Sequence, residues 1–195
     1  FADFGADFVA FSAHKMCGPT GIGALLVKPD AFKEMLPFMG GGDMIEHVSI
    51  EGSTYQTNEH KFEAGTPKIA EAIGWKAALD WLNSIDIESE HERLLSIAKY
   101  VADELRKMGV EVYGRHEHQD SAVVSFTHPT INSEDIAHLL DARGFAVRTG
   151  HHCAQPLLQR LGLLGTVRAS FYVYNTMDEA ELFITEMKDI VEKFA

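Results

Sequence analysis

Ser12-Ala13-His14-Lys15-Met16-Cys17-Gly18-Pro19-Thr20-Gly21-Ile22-Gly23 decides how this chain is read. Residues 7–11 before it and 22–27 after it are apolar enough to form buried strands. Between them lie small and polar residues, one lysine and a glycine-rich turn. Lysine ordinarily sits on a solvated face. On a tight turn between two core strands, Lys15 makes sense as an amine held still and partly desolvated for carbonyl chemistry. Ser12 and His14 are near enough in sequence to bind a phosphate on the same ligand. An amine beside phosphate ligands is the combination that pyridoxal phosphate requires. A surface hairpin with an incidental lysine carries the same local pattern, and motifs this short also arise by chance.

The chain has 195 residues, 46% of them hydrophobic, with no internal repeat or low-complexity tract. That allows one domain, or one and a half, around a sizeable core. The formal net charge of −12, from 17 basic and 29 acidic residues, speaks against a nucleic-acid or anionic membrane surface. Either surface needs a basic patch. No apolar run reaches membrane-spanning length. Cys17 and Cys153 are too few for a disulfide framework, so a reducing, cytoplasmic setting is expected. The chain opens Phe1-Ala2-Asp3-Phe4, without Met, directly into a strand-like pattern. We expect the later part of a longer protein, with any amino-terminal targeting signal outside it.

Further along, residues 29–39 read as a short helix or turn. The long stretch from 40 to about 61 is compatible with a hairpin or an extended arm. Pro67 suits the first turn of a helix running to about Leu82, with Ile69, Ile73, Ala77 and Trp81 on one face. A second helix is predicted over 88–108, stopped by Gly109. Strands follow at 110–113 and 122–126, a helix at 133–143, a strand at 145–148, a helix at 155–161 and a strand at 167–172. Thr176-Met177-Asp178-Glu179 has capping-box spacing and opens a last helix. From about residue 85 this order describes an α+β domain. The first 60 or so residues cannot close a sheet by themselves and read as the end of a larger one.

Arg148-Thr149-Gly150-His151-His152-Cys153-Ala154 forms a second constellation. Positive neighbours favour a thiolate, and a thiolate on a turn is a nucleophile. His151, His152 and Cys153 could alternatively bind a metal. Adjacent ligands suit one tetrahedral ion poorly, and no second Cys/His pair stands at ligand spacing, so no metal is expected. A free thiol among packed histidines is the plainest alternative. Cys17, flanked by Met16 and Gly18, reads as a packing residue. Arg168 sits between apolar neighbours in a strand, where an arginine awaits a carboxylate or, on an edge strand, simply faces water.

Four ordered segments carry a family resemblance: Ser12-Ala13-His14-Lys15 with Gly18-Pro19-Thr20-Gly21; Lys61-Phe62-Glu63-Ala64-Gly65-Thr66-Pro67; Arg148 to Ala154; and Arg168-Ala169-Ser170-Phe171 through Tyr174-Asn175-Thr176. Together they resemble the cysteine desulfurases of aminotransferase class V, closest to the group II, SufS-like branch, over essentially the whole chain. The short His-His-Cys turn separates this branch from group I. The resemblance implies an α/β fold, the carboxy-terminal part of a fold type I pyridoxal-phosphate-dependent transferase. Residues 1–84 would end the large cofactor-binding domain, and 85–195 would form the small α+β domain.

The resemblance also implies roles. Lys15 joins the cofactor and then moves protons, Ser12 and His14 hold its phosphate, and Thr66 reaches the phosphate of a second subunit in a homodimer. Arg168 holds the carboxylate of L-cysteine, with Arg148 and His152 beside it. Cys153 accepts the sulfur as a persulfide, leaving alanine, and passes it to an acceptor protein for iron–sulfur cluster assembly. Residues that the family places in its amino-terminal half are outside this chain, so the chain alone is expected to bind cofactor weakly and turn over slowly or not at all. Selenocysteine lyase uses the same residues. Another class V enzyme would not need Cys153. A non-catalytic dimerisation or acceptor-docking piece is the reading from outside enzymology.

Overall fold

Strands β1 (Phe8–Ser12) and β2 (Gly23–Val27) flank the lysine turn and pair antiparallel, from Phe8 opposite Val27 to Ser12 opposite Gly23. The structure is a computed structural model that describes residues 5–114 and 120–195. The strand-like opening at residues 1–4 lies outside the described residues. The chain divides into two compact units, Phe1–Ile85 and Asp86–Ala195.

In the first unit, a single 3-10 turn, Ala13–Lys15, joins β1 toward β2. Helix α1 (Pro29–Glu34) follows, then the hairpin β3 (Ile45–Val48) and β4 (Ser53–Tyr55), a 3-10 turn at Glu59–Phe62, and helix α2 (Ile69–Asn83). The hairpin occupies the stretch for which a hairpin or an arm was expected. The strands around the lysine form as predicted but are not buried. Phe8, Leu25 and Leu26 are 50%, 51% and 45% exposed. The reason is topological: among the described residues β1 and β2 pair only with each other, and a two-stranded ribbon by itself leaves its faces uncovered. Helix α2 starts two residues later than Pro67 suggests, with Lys68 as its cap. Its predicted stripe is likewise uncovered, since Ile69 and Ile73 are exposed and Leu82 is the residue the helix buries. Lys61 is buried here. Its Nζ donates to the Phe32 carbonyl at 3.0 Å and lies 4.3 Å from the Phe32 ring centre, tying α1 to the 3-10 turn.

In the second unit, helix α3 (Ile87–Lys107) is capped by the Asp86 carboxylate, which accepts from the Ser89 amide. The predicted stop is met at Gly109, whose φ of +77° is the left-handed conformation that glycine adopts freely. Strands β5 (Glu111–Tyr113), β6 (Val123–Thr127), β7 (Arg148–Gly150) and β8 (Thr166–Ser170) make one sheet in the order β5-β6-β8-β7, every pair antiparallel. Helices α4 (Ser133–Asp141) and α5 (Gln155–Leu161) and the final helix α6 (Met177–Phe194) complete the unit. The strand expected at 145–148 lies at 148–150 instead. Phe145 and Val147 pack against the core, and pairing with β8 begins only at Arg148, opposite Arg168.

Strand alternation then sorts the sheet into two faces. Val124, Phe126, Val167 and Ala169 point into a core closed by Ile97, Val101 and Leu105 of α3 and by Phe183, Met187 and Ile190 of α6. Ser125, Thr166 and Arg168 lie on the other face. Arg93 of α3 pins the connection from β8 to α6 by donating to the carbonyls of Val173 and Asn175. Helix α6 opens on the predicted capping box. Thr176 Oγ1 accepts from the Glu179 amide at 3.2 Å, and Glu179 accepts from the Thr176 amide at 3.0 Å. Thr176→Ala is expected to destabilise the second unit by about 1 kcal/mol, about 4 °C in Tm by calorimetry.

Candidate active site

The lysine turn is built around a fully buried alanine. The Ala13 amide donates to the Ile22 carbonyl, and the Ala13 carbonyl accepts from the amides of Met16 and Gly18 at 2.8 and 2.9 Å. The glycines that follow are steric necessities. A Cβ at Gly23 would lie 2.5 Å from the Phe11 carbonyl oxygen, and one at Gly18 would meet Trp75 and the Ala13 carbonyl at 2.9 Å. Ser12, His14 and Lys15 are carried on this closed frame. Among the described residues their side chains make no hydrogen bond or ion pair with one another or with other groups. Thr66, also without a side-chain partner among them, is exposed in the loop before α2.

Two expectations are corrected here. Lys15 is exposed rather than desolvated, because the two-stranded ribbon puts no wall over the turn. Cys17 is exposed rather than packed. Its φ of +58° places it in the left-handed region as the chain reverses toward Gly18.

The second constellation lies on the face of the four-stranded sheet turned away from the α3–α6 core, with Gln155 and Pro156 of α5 beside it. Register sets Arg148 directly opposite Arg168 and Gly150 opposite Thr166. Strand β8 is internal, so Arg168 is not an edge arginine facing water. Its Nε is buried and has no hydrogen-bond partner among the described residues. Like charges directly opposite across a strand pair repel. Among the described residues neither guanidinium has an acidic partner, an arrangement that an anion would complete. Arg148 Nη2 also approaches Cys153 Sγ at 3.5 Å. An open cleft of about 440 Å³ is lined by Arg148, His151, His152, Cys153 and Gln155, among others.

The turn that carries the thiol is unusual. His152 and Cys153 both have positive φ, +52° and +60°, directly after Gly150 at +99°. Each left-handed non-glycine residue costs about 1 kcal/mol or more. Three contacts work against that cost. The Ala154 amide donates to the His151 carbonyl at 2.8 Å, and His152 Nε2 lies 3.1 Å from the Thr166 carbonyl and 2.8 Å from Thr166 Oγ1. Burial pushes the His152 imidazole below its ordinary pKa. Arg168, Arg148 and His151 push the same way, against the opposing bond from Thr166. The stability gained by keeping this ring neutral is present above the unfolded value of about 6.5 and is lost as pH falls through the lowered one. The His152 ring resonance in an NMR titration is expected to move at a midpoint below that of a histidine peptide.

Four of the predicted residues, Arg148, His152, Cys153 and Arg168, thus share one face of the second unit, while Ser12, His14 and Lys15 share one turn of the first. Among the described residues, no group of three or more His, Cys, Asp or Glu side chains is placed to hold a metal ion. Sequence reasoning passed over Thr166. Its signal was position, two residues before Arg168 and so on the same strand face.

A family model described as aminotransferase class-V matches residues 1–183. The chain is 44% identical to a cysteine desulfurase of Haloferax volcanii, over 99% of this chain and 46% of that protein. It is also 44% identical to a probable cysteine desulfurase of Streptomyces coelicolor, over 95% and 45%. Among solved structures, the cysteine desulfurase CsdA of Escherichia coli, described as an S-sulfonic acid form, superposes with a TM-score of 0.93 at 39% identity. That match covers 100% of this chain and 48% of CsdA. The chain spans about half the length of the curated relatives it matches. Its fold is accordingly the α/β fold of part of these enzymes.

Proposed function

Because the chain belongs to the aminotransferase class-V family, we propose that it carries the lysine and the thiol of a cysteine desulfurase, converting L-cysteine to L-alanine and a protein persulfide. One observation carries this reading: Arg148 and Arg168 face each other with no acidic partner among the described residues, and Cys153 Sγ lies 3.5 Å from Arg148 Nη2. That arrangement fits an amino-acid carboxylate beside a sulfur acceptor.

Pyridoxal phosphate, when bound, draws electron density away from the substrate Cα. The donor set of the first unit fits this cofactor: an amine for its aldehyde from Lys15, and a hydroxyl and an imidazole for its phosphate from Ser12 and His14. None of the three is engaged elsewhere among the described residues. Thr66 would serve the phosphate bound by a second copy, making the protein a homodimer.

Arg168 binds the substrate carboxylate with Arg148 adding charge, which fixes the orientation of the amino acid. Lys15 Nζ carries the Cα proton. Cys153 Sγ attacks the substrate sulfur, so that a sulfur–sulfur bond forms as the Cβ–sulfur bond breaks. A proton then completes the alanine methyl group. The persulfide passes to a thiol on an acceptor protein, supplying iron–sulfur cluster assembly. Both cysteines are free, which agrees with a reducing cytoplasm. No helix among the described residues is long and apolar enough to cross a membrane.

The test uses the full-length protein with pyridoxal phosphate and L-cysteine. Alanine should accumulate, and the peptide containing Cys153 should gain the mass of one sulfur atom. Alanine formed with no sulfur on Cys153 would point instead to a class V enzyme that does not use this thiol.

A further inference from the structure

We infer that Thr166 is a positioning residue for Cys153: it locks His152 as the neutral Nε2–H tautomer and thereby holds the left-handed His152–Cys153 turn that sets the thiol against Arg148. The inference rests on the desulfurase reading for what the thiol does, but its geometry stands on the second unit alone.

The tautomer follows from the carbonyl. His152 Nε2 lies 3.1 Å from the Thr166 carbonyl oxygen, which can only accept, so Nε2 carries the hydrogen and donates. Thr166 Oγ1 at 2.8 Å shares that hydrogen as a second acceptor. The opposite tautomer would turn the Nε2 lone pair onto a carbonyl oxygen. It would also place a proton on Nδ1, which is buried and has no partner among the described residues. The imidazolium form meets the same buried Nδ1 and the guanidinium groups of Arg148 and Arg168 as well. The carbonyl thus sets the tautomer, and the shorter Oγ1 contact adds the Thr166 side chain's hold on the ring.

That residue is fixed in its turn. Thr166 is 2% exposed, opens the internal strand β8 and pairs with Gly150 of β7. A Cβ at the preceding Gly165 would lie 3.2 Å from the Gly150 Cα, so the backbones on either side of the clamp pack closely. From Thr166 the path runs through the His152 ring to the φ angles of +52° and +60° at residues 152 and 153. It ends at Cys153 Sγ, 3.5 Å from Arg148 Nη2. Without the clamp, nothing else among the described contacts holds the His152 side chain.

The readout is the ratio of Cys153 alkylation rates with iodoacetate and iodoacetamide, taken by peptide mass spectrometry on the full-length protein. Both reagents consume the same thiolate, so the ratio cancels its abundance and reports how closely a cation is held beside it. Arg148→Gln sets the floor. Wild type should exceed that floor. Thr166→Val leaves the carbonyl contact that sets the tautomer and removes the shorter Oγ1 contact, so it reads the side chain's share of the hold on the ring and should lower the ratio at least about threefold. Thr166→Ser should restore it, with matching thermal midpoints excluding general unfolding. A wild-type ratio at the floor, or a Thr166→Val ratio equal to wild type, overturns the inference. The sulfur chemistry is read separately, from persulfide on wild-type Cys153. No persulfide with the expected ratios sinks the desulfurase reading and leaves the clamp standing. Persulfide with unchanged ratios does the reverse.

Discussion

Cys153→Ser is expected to lower alanine formation from L-cysteine in the full-length protein by at least about 10³-fold, ~4 kcal/mol of barrier. Serine matches the thiol in shape and would leave the turn and its His152 anchor in place. An unactivated hydroxyl is a poor nucleophile at neutral pH, and sulfur needs a sulfur acceptor to leave as a persulfide. Cofactor uptake by the first unit should be unaffected, which separates a chemical defect from a folding defect. Cys17→Ser is the control. That thiol is exposed on the other turn and has no role in the proposed transfer. Alanine formation and persulfide on the Cys153 peptide are the two measurements. If alanine production survives Cys153→Ser, the thiol is not the sulfur acceptor.

Lys15→Ala should be as severe by a different route. The amine is assigned two tasks, joining the cofactor and carrying the Cα proton. Loss of a positioned proton carrier alone removes about 10²–10⁴-fold. Borohydride reduction of wild type incubated with pyridoxal phosphate should fix the cofactor on the peptide containing Lys15. The variant should lose that label, while the frame around Ala13 survives because its hydrogen bonds run between backbone groups. Lys15→Arg should keep the charge and still lose the label, because a guanidinium does not serve as the amine. Equal labelling at other lysines, with none at residue 15, would count against the assignment.

Both turns and most helices of the fold were legible in the sequence because their signals are local. Gly109 and the Thr176–Glu179 box act on adjacent backbone groups, so spacing alone exposes them. Burial was not legible in the first unit. The period of Ile69, Ile73 and Trp81 reveals a helix, but whether that stripe is covered depends on layers that a local pattern does not contain. The thiol site was half legible. Arg148, His152, Cys153 and Arg168 stood out as residue types. That Arg148 faces Arg168 is a matter of register between strands that lie far apart in sequence. Thr166 escaped notice for the same reason, since its partner is a histidine 14 positions away.

The two-stranded ribbon around the lysine has a practical corollary for anyone handling this chain. Among the described residues each of its strands pairs on one side only, so in this chain taken alone the outer rims beside Phe8, Leu25 and Leu26 are left unpaired. Such a rim is a template for adding a strand from another molecule. Loss of material on concentration should begin there, and a charged substitution at Leu25 or Leu26 should delay precipitation without touching the frame that carries the amine.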